Sequence, residues 1–333
     1  MRIDIHWHHV PALFIEPVLD GTLPINGRVE RDGDKTTIVL ESGFRQGIFG
    51  SLTDPAMAIA HMDEVGLDVV APAIAPPLMH YDAELAVAVP ISRAINDGLA
   101  ELAEAHPGRF RPLANLPMQE PAAAVAELKR AVQDLGFAGA QIGTNINDRN
   151  LGDEDFHPFW AAVSELDAFI WFHPFTPMGR KDRLARHMQA NFVGLPIDSA
   201  AAVASLLFDG VYERFGPLKT GFAHGGGACP YILSRWEHGY HARLAGKIDP
   251  VKAPMQYVDS IYADSLTHSD LALRFLVEVL GADHVMLGSD YPFDMGEPDP
   301  NGAMERAIDD PAVRDQVGSK TAARLLGLEI KDS

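Results

Sequence analysis

Short apolar runs alternate along this chain with longer stretches in which apolar residues recur every three or four positions. Runs of about four to eight residues match buried strands, and the wider spacing marks one face of a helix. The runs predicted as strands are Arg2–His6, Asp68–Ala73, Arg111–Asn115, Ala138–Ile142, Phe169–Phe172, Lys219–Ala223, Ser260–Asp264 and His284–Leu287. Between them, Val125, Leu128, Val132 and Leu135 predict a helical face, with Pro121 near its start and Gly136 at its stop. Ile91, Ile95, Leu99 and Leu102 predict a second, and a third helix is predicted over Asp270–Leu280, with Ser269 as its cap and Gly281 as its stop. Strands alternating with helices predict an α/β fold with a parallel sheet, and eight repeats predict a distorted (β/α)8 TIM barrel. The rival open sheet that binds dinucleotides needs a glycine-rich turn after its first strand, where this chain reads His8-His9-Val10-Pro11.

Residues 10–54 form a long connection between the first strand and a helix starting near Pro55. Connections of this length are usually functional, so an inserted lid or substrate-binding loop is expected after strand one. With no repeat or linker composition in the chain, residues 1–333 are read as a single barrel domain. A length of 333 residues suits that reading, since such barrels run from roughly 200 to more than 400 residues.

Charge narrows the function. Lys and Arg number 27 against 46 Asp and Glu, a formal charge of −19 that repels phosphate backbones and anionic membranes. No nucleic-acid or membrane partner is therefore expected, and a small anionic substrate would need arginines of its own. The single cysteine, Cys229, allows neither an intramolecular disulfide nor a cysteine-rich zinc site. The N-terminal residues lack the pattern of a signal peptide, and no apolar run of about 18 residues is apparent, so a cytoplasmic location is expected.

The strongest chemical signal is His6-Trp7-His8, which closes the first predicted strand. Side chains two apart on a strand share a face, so both imidazoles can reach one ion. His173, His224 and Asp290 close three further strands. Taken singly, each reads more readily as an ordinary histidine or a capping aspartate. At the ends of strands one, five, six and eight of a barrel, they would meet on one rim.

Four segments carry a family pattern: His6-Trp7-His8, Trp171-Phe172-His173-Pro174, His224-Gly225-Gly226-Gly227 and Gly288-Ser289-Asp290-Tyr291-Pro292-Phe293. In order and interval the chain resembles the amidohydrolase superfamily, and within it the branch similar to aminocarboxymuconate-semialdehyde decarboxylase. The resemblance implies that His6, His8, His173 and Asp290 hold one divalent ion, with Zn2+ favoured and Mn2+ as the alternative. The fourth strand carries no lysine, so the site is expected to be mononuclear. His224 takes the position of the family's acid/base histidine, and Asp290 shares the candidacy for passing a proton. Arg45 and Arg235 match arginines that bind substrate carboxylate, Arg235 by reaching into a neighbouring subunit, which implies a homodimer or higher oligomer. Phe293 matches an aromatic residue lining the substrate site. Where the muconate-semialdehyde enzyme has a tryptophan, this chain reads Asn191-Phe192.

The implied reaction is metal-dependent, non-oxidative decarboxylation of an unsaturated or aromatic carboxylic acid such as aminocarboxymuconate semialdehyde, a hydroxybenzoate or a hydroxypicolinate. The alternative is hydrolysis of a lactone or amide with the same metal kit.

Overall fold

Each of the eight predicted runs forms a strand. The structure is a computed structural model and describes residues 1–179, 182–245, 247 and 251–330. In chain order its strands are β1 (Ile3–His8), β2 (Gly27–Asp32), β3 (Lys35–Leu40), β4 (Arg45–Ile48), β5 (Val69–Ala73), β6 (Ala114–Asn115), β7 (Gly139–Gly143), β8 (Phe169–His173), β9 (Lys219–Phe222), β10 (Ile261–Asp264) and β11 (Val285–Met286). β1 pairs in parallel with β5, and β6 through β11 pair in parallel in sequence order. Two seams close the ring. Arg111 and Leu113 donate their N–H groups to Val70 and Pro72, joining β5 to the segment that leads into β6. Ile5 donates to Leu287, and Trp7 bridges Tyr291, joining β1 to β11 and the residues after it. A closed parallel ring has no open edge, and its strands are buried along their whole length in β1, β5, β7, β8 and β10.

The ring is filled from several sides at once. Ile3, Val69, Leu113, Phe169, Trp171, Tyr262 and Met286 come from strands around it and pack with Ala322, Ala323, Leu325 and Leu326 of the last helix. Helices cover the outside. Ile91, Ile95, Leu99 and Leu102 are all buried, as their spacing predicts. The helix Asp270–Leu280 is capped by the Ser269 hydroxyl, which accepts from the Ala272 N–H, and it stops at Gly281. The helix Pro121–Gln133 is rotated from expectation. It buries Ala124, Glu127, Leu128 and Ala131, leaving Val125 and Val132 at the margin. The cause is polar: Glu127 accepts from buried Asn96 at 2.7 Å and pairs with Arg130, drawing its own face inward.

Two expectations change. The 10–54 connection is ordered rather than a plain loop, comprising a helix at Ala12–Asp20 and an antiparallel sheet of β2, β3 and β4. Asp32 pairs with Lys35 across a two-residue Gly33-Asp34 turn, with Gly33 at a positive φ of 56° that glycine adopts without strain. In addition, the helical stretch Ala190–Phe208 is long and apolar enough to span a bilayer, and half of it is buried inside the protein. Its apolarity serves the core, where Val203, Leu206 and Leu207 lie fully buried.

Candidate metal centre

The C-terminal ends of β1 and β8 and the turn after β11 bring together four side chains from distant parts of the chain. His6, His8, His173 and Asp290 are buried, and their ligand-type atoms all lie within 4.8 Å of one another. Asp290 Oδ1 is the hub, at 3.1 Å from His6 Nε2, 3.0 Å from His8 Nε2 and 3.7 Å from His173 Nε2. His224 stands beside the group, with its Nε2 3.5 Å from Asp290 Oδ2. His224 and Asp290 both have positive φ, 58° and 62°, a conformation that costs a non-glycine residue about 1–3 kcal/mol. Such strain is maintained where surrounding structure dictates side-chain aim. A small residue completes the packing: a Cβ on Gly288 would sit 2.7 Å from Asp264 Cβ and 3.0 Å from His6 Cβ.

The back of the site orients the rings. His8 Nδ1 faces the Ile74 carbonyl at 3.3 Å and His173 Nδ1 the Pro174 carbonyl at 3.0 Å, while His6 Nδ1 contacts Asp264 Oδ2 at 2.6 Å. Each Nε2 is thereby turned toward Asp290. Burial lowers the His8 pKa and puts that of His173 well below the ordinary imidazole value, so both rings are neutral. Burial pushes His6 down too, but the flanking Asp290 and Asp264 carboxylates outweigh it and raise its pKa to about 10. For Asp290, burial pushes upward, and the surrounding His6, His173 and His224 rings reverse this and hold it well below the usual carboxylate range.

These donors fit one divalent cation. His6 Nε2 and His173 Nε2 are buried and make no well-directed hydrogen bond, a state that costs about 1–3 kcal/mol per group. A cation among three imidazoles and a carboxylate removes that cost, and this donor set suits zinc and other first-row divalent ions. β7 ends in Gln141-Ile142-Gly143, with no lysine to bridge a second ion.

Beside the cluster lies a cavity of about 540 Å3 whose walls include Phe44, Gln46, Phe175, His224, Asp290 and Phe293. Phe293 is where the sequence expects it, its ring 5.2 Å from that of His8. Asn191 and Phe192 also line the cavity. The arginines are not there. Arg45 lies exposed on β4 and pairs with Glu30 at 2.6 Å, and its strand neighbour Gln46 faces the cavity instead. Successive strand residues point to opposite faces, so Gln46 and Arg45 cannot both line the same wall. Arg235 is exposed on the helix Cys229–Gly239, away from the cavity wall. Asp264, which holds His6, was missed by sequence reasoning. It closes a predicted strand just as His6 and His173 do, and that position was the available signal.

A closed parallel barrel with three imidazoles and a carboxylate gathered at its strand ends is the architecture of a metal-dependent barrel enzyme. The family model for amidohydrolases matches residues 3–328. The chain is 34% identical to 2-amino-3-carboxymuconate-6-semialdehyde decarboxylase of Dictyostelium discoideum, over 92% of this chain and 85% of that one. It is 26% identical to the gamma-resorcylate decarboxylase of a Rhizobium species, covering 70% of this chain and 75% of that relative. Among solved structures, the 5-carboxyvanillate decarboxylase of Novosphingobium aromaticivorans, complexed with manganese and 4-hydroxy-3-methoxy-5-nitrobenzoic acid, superimposes with a TM-score of 0.82 at 25% identity, covering 98% of this chain and 96% of that one. The chain belongs to the amidohydrolase family.

Proposed function

We infer that this chain is a metal-dependent, non-oxidative decarboxylase of an unsaturated or aromatic carboxylic acid. The observation that carries the reading is the buried His6, His8, His173 and Asp290 cluster with His224 beside it, in a chain whose relatives bear decarboxylase names. The four clustered side chains would hold one divalent ion. We assign zinc from the donor set, with manganese, present in the carboxyvanillate enzyme, as the competitor. When bound, the ion supplies Lewis-acid stabilisation of the negative charge that builds as carbon dioxide departs.

The chain's own residues supply the rest. Phe44, Phe175 and Phe293 give the cavity apolar walls for the flat part of the substrate and displace water from it. As the carbon–carbon bond breaks, its electron pair remains on the substrate carbon, and that carbon must take up a proton. His224 lies on the cavity wall and is more open than the four clustered residues, so we assign it the proton; Asp290, 3.5 Å away, orients its ring. We further propose that Arg235 serves the cavity of a second copy in a homodimer, binding substrate carboxylate through its guanidinium fork. It is exposed on the same helix as Tyr231, which is 81% exposed, and makes no ion pair among the described residues.

Incubating metal-loaded enzyme with candidate acids in 18O-labelled water separates decarboxylation from hydrolysis. Carbon dioxide release is expected, with no label in any newly formed carboxylate or hydroxyl of the other product. Label entering the product with no gas would establish the lactone or amide hydrolase instead.

A further inference from the structure

Behind the cluster, one carboxylate touches both halves of the proposed machinery. Asp264 is fully buried at the end of β10, and four nitrogens surround its two oxygens. Oδ2 meets His6 Nδ1 at 2.6 Å and accepts from the backbone N–H of His224 at 3.1 Å. Oδ1 accepts from the backbone N–H groups of Gly225 at 2.6 Å and Leu266 at 3.3 Å. The same side chain therefore sets the ring of His6 and pins the strained turn that carries His224.

We propose that Asp264 is a positioning residue that joins the metal-holding His6 and the proton-carrying His224 into one unit. Its contact holds a proton on His6 Nδ1, so that Nε2 is the nitrogen that gives up its proton to the cation, while its backbone contacts hold the 224–225 turn in the left-handed conformation. A carboxylate is required because all the facing groups are donors, and an amide would turn an NH2 toward two of them. Carboxylates behind metal-bound histidines typically change metal affinity by roughly 10–100-fold. The Asp264 assignment rests on the proposed roles of His6 and His224.

The test titrates the apo-protein with Mn2+ alone, following free ion by electron paramagnetic resonance, for wild type, Asp264→Asn and His6→Ala. Asp264→Asn is expected to weaken binding by roughly 10–100-fold and to shift the pH–rate profile of the loaded enzyme, whereas His6→Ala abolishes tight binding. Unchanged Mn2+ affinity and an unshifted profile in folded Asp264→Asn would overturn the inference while leaving the metal site intact. Tight binding retained in His6→Ala would instead sink the underlying site assignment. Should Asp264→Asn fail to fold, 15N spectra of wild type loaded with diamagnetic Zn2+ decide: a His6 ring protonated at Nδ1 supports the role, and a ring protonated at Nε2 instead refutes it.

Discussion

His80 makes this protein acid-sensitive in a way that can be calculated. It follows the turn Pro76–Met79, whose Pro76 and Pro77 line the cavity, and is 2% exposed, with neither ring nitrogen hydrogen-bonded. Burial lowers its pKa from 6.5 to about 4, against a weaker opposing pull from Asp82. The folded protein therefore holds this ring neutral at a pH where the unfolded chain already binds a proton. Stability is complete above pH 6.5 and falls as the pH drops from there toward 4. Each pH unit crossed between those two values removes about 1.4 kcal/mol, so the loss approaches ~3 kcal/mol at pH 4 and is about 2 kcal/mol at pH 5. Urea unfolding of wild type and His80→Asn at pH 7, 6 and 5 isolates the effect, because the other groups titrate alike in both proteins. Asparagine is chosen because it tolerates the left-handed backbone of this position, φ 55°. The wild type should lose about 2 kcal/mol more than the variant between pH 7 and pH 5. Parallel losses would refute the argument.

Three further outcomes are expected. Gly288→Ala inserts a methyl group between Asp264 and His6 and should cost about 1–3 kcal/mol of stability, with weaker Mn2+ binding; an unchanged urea midpoint and affinity would contradict the close packing. Arg45→Ala should leave kcat/KM and stability nearly unaltered, within about 0.5 kcal/mol, whereas Arg235→Ala should lower kcat/KM by about 10- to 100-fold through loss of a charged hydrogen bond. Loss of activity in Arg45→Ala alone would reverse that assignment. Cys229, which burial pushes up to about 12, should resist thiol reagents at pH 8 until the protein is unfolded, and rapid labelling of native protein would show it accessible.

Much of this molecule was legible from residue order alone. The eight barrel strands and the helix over Asp270–Leu280 follow from local rules of apolar run length, helical spacing and caps, and strand-closing position makes His6, His8, His173, His224 and Asp290 candidates, from which the family resemblance picks the four that cluster. Local rules also reach their limit in identifiable places. The sheet inside residues 10–54 was announced only by Gly33-Asp34 and the β-branched run Thr36–Val39, because its strands are short and partly polar. Whether Arg45 or Gln46 faces the cavity depends on the phase of a strand, which pairing across β3 decides. Glu127 rotated its helix because a partner 31 residues away, Asn96, was buried with it. Asp264 acquired meaning only when closure of the ring brought the end of β10 within reach of β1, 258 residues from His6. Periodicity is a property of neighbours in the chain and is written in the order of residues. Contacts between distant strands depend on register and closure, and those are decided only when the whole barrel packs.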